Sequence, residues 1–142
     1  MKTASVPMLL AAALLIALPA HAHRLKDDAS VRIVEPLDGT EVSSPVRLRF
    51  EARRIPVAPV GINKHRAGHF ILLIDHAHPD SEWEHVIAMD AQHLHFVEGE
   101  SEAEIELPPG QHTLQVLLAD EEHVAWDAQL VSDRIRIVVL AG

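Results

Sequence analysis

The sequence predicts an all-β protein, an immunoglobulin-like antiparallel β-sandwich of about seven strands. Three observations lead there. Apolar and polar residues alternate with period two in several short segments. Turn signals built on Pro, Gly and Asp separate those segments. No stretch combines helical periodicity with good caps; Glu82 to Met89 offers at most a helical turn, and nothing caps it well.

Taken in order, Val31 and Ile33 begin the alternation. Glu35-Pro36-Leu37-Asp38-Gly39 then reads as a turn, because Pro fixes φ and Asp-Gly accepts positive φ. Val46, Leu48 and Phe50 alternate with Arg47, Arg49 and Glu51 as the next strand. Ile55 to Arg66, with two prolines and a glycine, is a loop. Phe70 to Ile74 is continuously apolar, which suits a strand buried on both faces. His76 to Asp90 is a long loop, and long loops are often functional. Ala103, Ile105 and Leu107 alternate with Glu102, Glu104 and Glu106 as a half-buried strand that Pro108-Pro109-Gly110 stops. His112 to Ala119 and Arg134 to Leu140 supply the last two strands.

The N-terminus has the parts of a secretory signal: Met1-Lys2, an apolar run from Met8 to Leu18, and small residues at Ala20-His21-Ala22. The run is too short for a bilayer span, which needs about 20 residues. The expected organisation is a signal peptide over residues 1–22 and one domain over 23–142, exported to the periplasm, with no membrane span once the signal is removed. Cleavage after Ala22 leaves His23 first; cleavage after Ala20 leaves His21 first. The chain has no cysteine, so thiolate metal sites and disulfides are excluded. A net charge of −9 argues against nucleic acid and anionic membranes as partners. Most of the basic residues lie between Arg24 and Arg66, an arrangement that suggests pairing across a sheet with the acidic remainder.

From Ala67 to Asp133 there is no Lys or Arg, yet this stretch holds His69, His76, His78, His85, His93, His95, His112 and His123. Histidine and carboxylate bind divalent cations, whereas Lys and Arg repel them. The same composition also describes an acidic, solvated β surface. His93-Leu94-His95 places two imidazoles on one face of an extended segment, roughly 6.6 Å apart. A third ligand from another strand is needed to make this pair a site, and His69 and His123 are the candidates. Asp120-Glu121-Glu122-His123 follows a strand and reads as a candidate site or a polar loop. Asp75-His76-Ala77-His78 reads as a solvated turn, and the Glu102, Glu104, Glu106 row as a solvated face. His112 sits where an aromatic ring of an immunoglobulin-type corner bonds back to upstream backbone, so it is expected to be structural. Signatures of common enzyme classes are missing: there is no GxSxG, P-loop, HExxH or SxxK. No enzymatic activity is expected.

Gly68-His69-Phe70-Ile71-Leu72-Leu73-Ile74-Asp75, His93-Leu94-His95-Phe96, Leu107-Pro108-Pro109-Gly110-Gln111-His112-Thr113-Leu114-Gln115 and Asp120 with His123 resemble a bacterial exported domain family of unknown function. The resemblance covers roughly residues 31 to 139 and implies a single periplasmic immunoglobulin-like domain without an established activity. Members usually carry a run of histidines after the glycine, where this chain keeps only His69. A second resemblance, to periplasmic copper-carrier β-sandwiches, rests on His23, Pro36-Leu37-Asp38-Gly39 and Asp120 with His123. It implies a Cu(II) site at the mature N-terminus. Two functions are therefore expected. One is a periplasmic module binding Cu(II) or Zn(II) through His69, His93, His95, His123, Asp120 or His23. The other is a metal-free envelope accessory domain with a periplasmic protein partner and structural histidines.

Overall fold

The computed structural model describes residues 28–62, 66–78 and 84–142. Eight strands are formed there: β1 (Ser30–Glu35), β2 (Thr40–Val42), β3 (Val46–Arg53), β4 (His69–Ile74), β5 (His93–His95), β6 (Glu102–Ile105), β7 (Gly110–Ala119) and β8 (Ile135–Val139). They make two sheets, in the orders β1-β3-β6 and β2-β8-β7-β4-β5. The two sheets make an all-β sandwich. One pair departs from the expected antiparallel order: β2 runs parallel to β8. The Asp38-Gly39 turn causes this by carrying the chain from the edge of one sheet to the edge of the other. Gly39 has φ 77°, and Asp38 Oδ1 accepts the Arg136 amide at 2.7 Å. Glu84 to Met89, the described part of the candidate helical turn, is irregular chain with one isolated bridge from Val86 to Val124.

The main core fills the space between the sheets. Val46, Leu48 and Phe50 of β3 meet Phe70 and Leu72 of β4 and Leu114, Val116 and Leu118 of β7. Phe50 contacts the rings of both Phe70 and Phe96, at 5.3 and 5.2 Å between centroids. The solvent face of the smaller sheet is charged, and Arg47 of β3 bridges Glu104 of β6 at 3.3 Å. This cross-strand pair joins the basic N-terminal third to the acidic remainder as the segregated charge suggests, but Arg32, Arg49 and Arg54 pair instead with Glu51, Glu35 and Asp28 of the same third.

The apolar run of β4 is buried throughout because both of its faces are covered. Phe70, Leu72 and Ile74 point into the main core. Ile71 and Leu73 point to the other side, into a second small core with Ile87, Leu117, Ala119 and Ala125. Two segments cover that outer face. One is the chain around Ile87, whose amide bonds the His123 carbonyl at 2.8 Å. The other follows β7 and folds back over it through the Ala119–Ala125 and Leu117–Val131 bridges. His69 shares the outer face at the end of this second core. Among the described residues no helix is long and apolar enough to cross a membrane.

Candidate metal centre

Strand register decides which histidines meet. In the β4–β5 pair, Ile71 faces His95 and Leu73 faces His93. His69 is therefore the diagonal neighbour of His95, at a distance that an aromatic side chain can span. His93 lies opposite a residue four positions along β4 from His69, about 13 Å away along the strand. In the β4–β7 pair His69 faces Ala119. The turn after β7 then returns His123 over that position. Within the turn the Asp120 amide bonds the Val124 carbonyl at 2.9 Å, and the His123 amide bonds the Asp120 carbonyl at 3.1 Å. Asp120 Oδ1 accepts the amides of Glu122 and Val124. His123 has φ 62°, a left-handed conformation unusual for a side chain of this size and held here by those turn bonds.

His69, His95 and His123 thus converge from β4, β5 and the turn after β7. One ligand atom from each lies within 4.8 Å of the others, and among the described residues this is the one group of three or more that does so. His123 Nδ1 stands 3.1 Å from His69 Nε2 and 3.2 Å from His95 Nδ1. Two nitrogens bound to one ion at about 2.0–2.1 Å with a tetrahedral angle stand roughly 3.3 Å apart. The two spacings made by His123 lie close to that value, and the third, between His69 and His95, lies within 4.8 Å.

Protonation makes the centre rich in lone pairs. His95 Nε2 lies 2.8 Å from the Ala88 carbonyl oxygen, which can only accept, so the proton of the neutral ring is on Nε2 and Nδ1 presents its lone pair inward. The contact between His123 Nδ1 and His69 Nε2 has room for one proton, not two. Three inward nitrogens therefore share at most one proton while the rings are neutral, and a cation in its place would satisfy all three lone pairs. Burial works against protonation of two of the rings. His69 is 1 % exposed, and its pKa falls to about 4, first through burial and then through the neighbouring His123 and His95. Burial also lowers His95, against the opposing effect of its bond to Ala88. The nearby carboxylates of Asp120 and Glu100 pull His69 the other way without reversing the shift.

The remaining candidates have other places. His93 Nδ1 bonds Asp90 Oδ1 at 2.7 Å, and its ring contacts His76 rather than the centre. The expected HxH pair is thus divided between two environments. Asp120 acts as the organiser of its turn, and one of its carboxylate oxygens is taken by two amides. His23 lies outside the described residues. His112 is the corner residue expected: Nε2 bonds the Pro108 carbonyl at 2.8 Å and Nδ1 bonds Asp75 Oδ2 at 2.8 Å.

Several participants went unrecognised in the sequence. Gly68 is one: a Cβ there would lie 2.6 Å from Leu118 Cγ and 2.7 Å from the Ala119 carbonyl oxygen, so only glycine lets β4 start this close to β7. The Ala88 carbonyl that orients His95 is another, and being backbone it leaves no trace in the sequence. Glu100 is a third, brought near His69 by the turn at Gly99, which has φ 79°.

The model of a family described as Domain of unknown function (DUF4399) matches residues 48–140. No curated protein matches the chain. Among solved structures, an endo-β-1,4-mannanase from Thermotoga petrophila is similar at 11 % identity and a TM-score of 0.43, over 81 % of this chain and 20 % of that one. The chain thus spans about a fifth of that enzyme's length.

Proposed function

The chain belongs to that family of unknown function, which brings no activity with it, and from the site itself we propose a periplasmic metal-binding domain that holds Zn(II) or Cu(II) through His69, His95 and His123. The observation that carries this reading is the convergence of three imidazole nitrogens, two of the contacts at 3.1 and 3.2 Å, with too few protons for their lone pairs. Imidazole suits both ions. Three imidazoles leave a coordination position for water or for a ligand from a partner. The absence of Lys and Arg from Ala67 to Asp133 removes competing positive charge. Export rests on the signal features of residues 1–22, and the domain is a binding module rather than an enzyme.

The mature chain, purified without a histidine tag, should bind Zn(II) or Cu(II) in a calorimetric titration at pH 7.5. The affinity should be tighter than about 10 μM, near −7 kcal/mol. Replacing His69 and His123 together by Ala should remove it. Equal binding by the variant would overturn the assignment, and no binding by either chain would leave the metal-free accessory domain as the better reading. Mass spectrometry of periplasmic material, with His23 or His21 at the start of the chain, checks export.

A further inference from the structure

A second group of imidazoles lies on the loop side of β5. His76, His78, His85 and His93 line a cavity of about 190 Å³ whose other wall is Val86, Ile87 and Ala88. None of the four belongs to the buried centre. Among the described residues the lining has no Lys or Arg. The rings of His76 and His93 meet edge to face with centroids 4.9 Å apart. Within the buried centre the ring spacings are 4.9, 5.0 and 5.8 Å, so this pair is as close as any there.

His93 is also prepared as a ligand. Its Nδ1 bonds Asp90 Oδ1 at 2.7 Å, and the same oxygen accepts the amides of Gln92 and His93 at 2.9 and 3.0 Å. The carboxylate, held in place by two amides, accepts the hydrogen bond from Nδ1–H and fixes the ring orientation. The neutral ring then has its lone pair on Nε2. A carboxylate behind a histidine is the usual outer partner of a metal-bound imidazole.

We propose that this cavity is a second cation site, for a borderline transition ion such as Zn(II) or Cu(II), with His93 and His76 as its primary ligands and His85 and His78 at its rim. It binds more weakly than the buried centre, because no three of its ligand atoms are already gathered within 4.8 Å of one another. The two sites are neighbours. His93 and His95 are two residues apart on β5, about 6.6 Å. The segment between the sites is tied to the buried centre by the bonds from Ile87 to His123 and from His95 to Ala88. An ion held at the exposed cavity stands next to the buried one, as a landing position would.

The proposal uses residues that the buried centre does not, so the two can fail separately. The test is the Zn(II) stoichiometry of the untagged mature chain, beside a His76→Ala/His85→Ala variant and a His69→Ala/His123→Ala variant. His76 and His85 are exposed, so the first variant should fold normally. Wild type should take two ions. The first variant should take one with unchanged high affinity, and the second should keep only the weaker one. A wild-type stoichiometry of one, unchanged in the first variant, would overturn the second site and leave the buried centre intact. With two equivalents of Cu(II), wild type should give a dipolar-coupled electron spin resonance spectrum that both variants lose. Two isolated Cu(II) signals in wild type would contradict adjacent sites.

Discussion

His112 and the His69–His95–His123 group occupy the two ends of one strand pair, on opposite faces of the larger sheet, and they have opposite electrostatics. His112 sits near the start of β7 and meets two acceptors, the Asp75 carboxylate and the Pro108 carbonyl. Both of its nitrogens can donate. Burial disfavours its cation, but those two bonds outweigh burial and raise its pKa. A ring with a proton on each nitrogen has no lone pair for a metal. About seven residues further along β7, His69 is buried against two other imidazoles instead of a carboxylate, and its pKa falls to about 4. Residue type alone does not separate a structural histidine from a ligand. The partners set by strand register do.

The largest expected difference between the two regions is in metal affinity. His69→Ala should weaken Zn(II) or Cu(II) binding at least 100-fold, about 2.8 kcal/mol, in calorimetry at pH 7.5. His112→Ala should leave that affinity within about twofold. If His112→Ala also abolished binding in a folded chain, the division of roles would be wrong.

Stability should respond in the opposite sense. His112→Ala removes a largely buried ring and its bonds to the Pro108 carbonyl and Asp75 Oδ2, while Asp75 Oδ1 keeps the Thr113 amide, and it should cost roughly 1–3 kcal/mol in denaturant unfolding. An unchanged unfolding midpoint would remove the structural role of the corner. Gly68→Ala should cost a comparable amount, roughly 1–3 kcal/mol, because its Cβ meets Leu118 and the Ala119 carbonyl. It should also weaken metal binding by displacing His69. Wild-type stability together with wild-type affinity in Gly68→Ala would show that the close start of β4 is unnecessary.

The pH slopes of the metal-free chain have opposite signs for the two regions. His69 has a folded pKa of about 4, below the unfolded value of about 6.5. Between those values the unfolded chain binds a proton that the folded chain does not. Stability therefore falls as pH drops from 6.5 towards 4. His112 has a raised folded pKa, so its contribution is complete below about 6.5 and is lost as pH rises through the raised value. His69→Ala should flatten the acid side of a melting-temperature profile, and His112→Ala the neutral-to-alkaline side. Identical changes from both variants would contradict the two environments described.

Much of this architecture is legible in the sequence because period two is a strong signal where one face is buried. The alternation of Val46 to Phe50 and of Glu102 to Ile105 marks β3 and β6. The continuous run in β4 correctly implies burial on both faces. Three-residue strands such as β2 have too few residues to show a period, and the parallel β2–β8 pairing depends on a chain reversal that no local pattern specifies. The centre was legible in part. His69, His95 and His123 are candidates by type, since each is a histidine in a segment free of basic residues. The division of His93 from His95 was not, although the two share a strand face. It follows from register against β4, where one residue pair decides which imidazole reaches His69. Asp120 illustrates a related ambiguity: its carboxylate beside a histidine suits a ligand and a turn cap alike, and the amides of Glu122 and Val124 take one of its oxygens.

The most direct measurement is a long-range proton–nitrogen NMR spectrum of the histidine rings, recorded at pH 7.5 with and without one equivalent of Zn(II). His69 Nε2, His95 Nδ1 and His123 Nδ1 should move to metal-bound nitrogen shifts, and His95 should keep its proton on Nε2. His112 should show the same two nitrogens in both spectra. Unchanged rings at positions 69, 95 and 123 in the presence of zinc, or a metal-bound nitrogen on His112, would contradict the assignment of the buried centre.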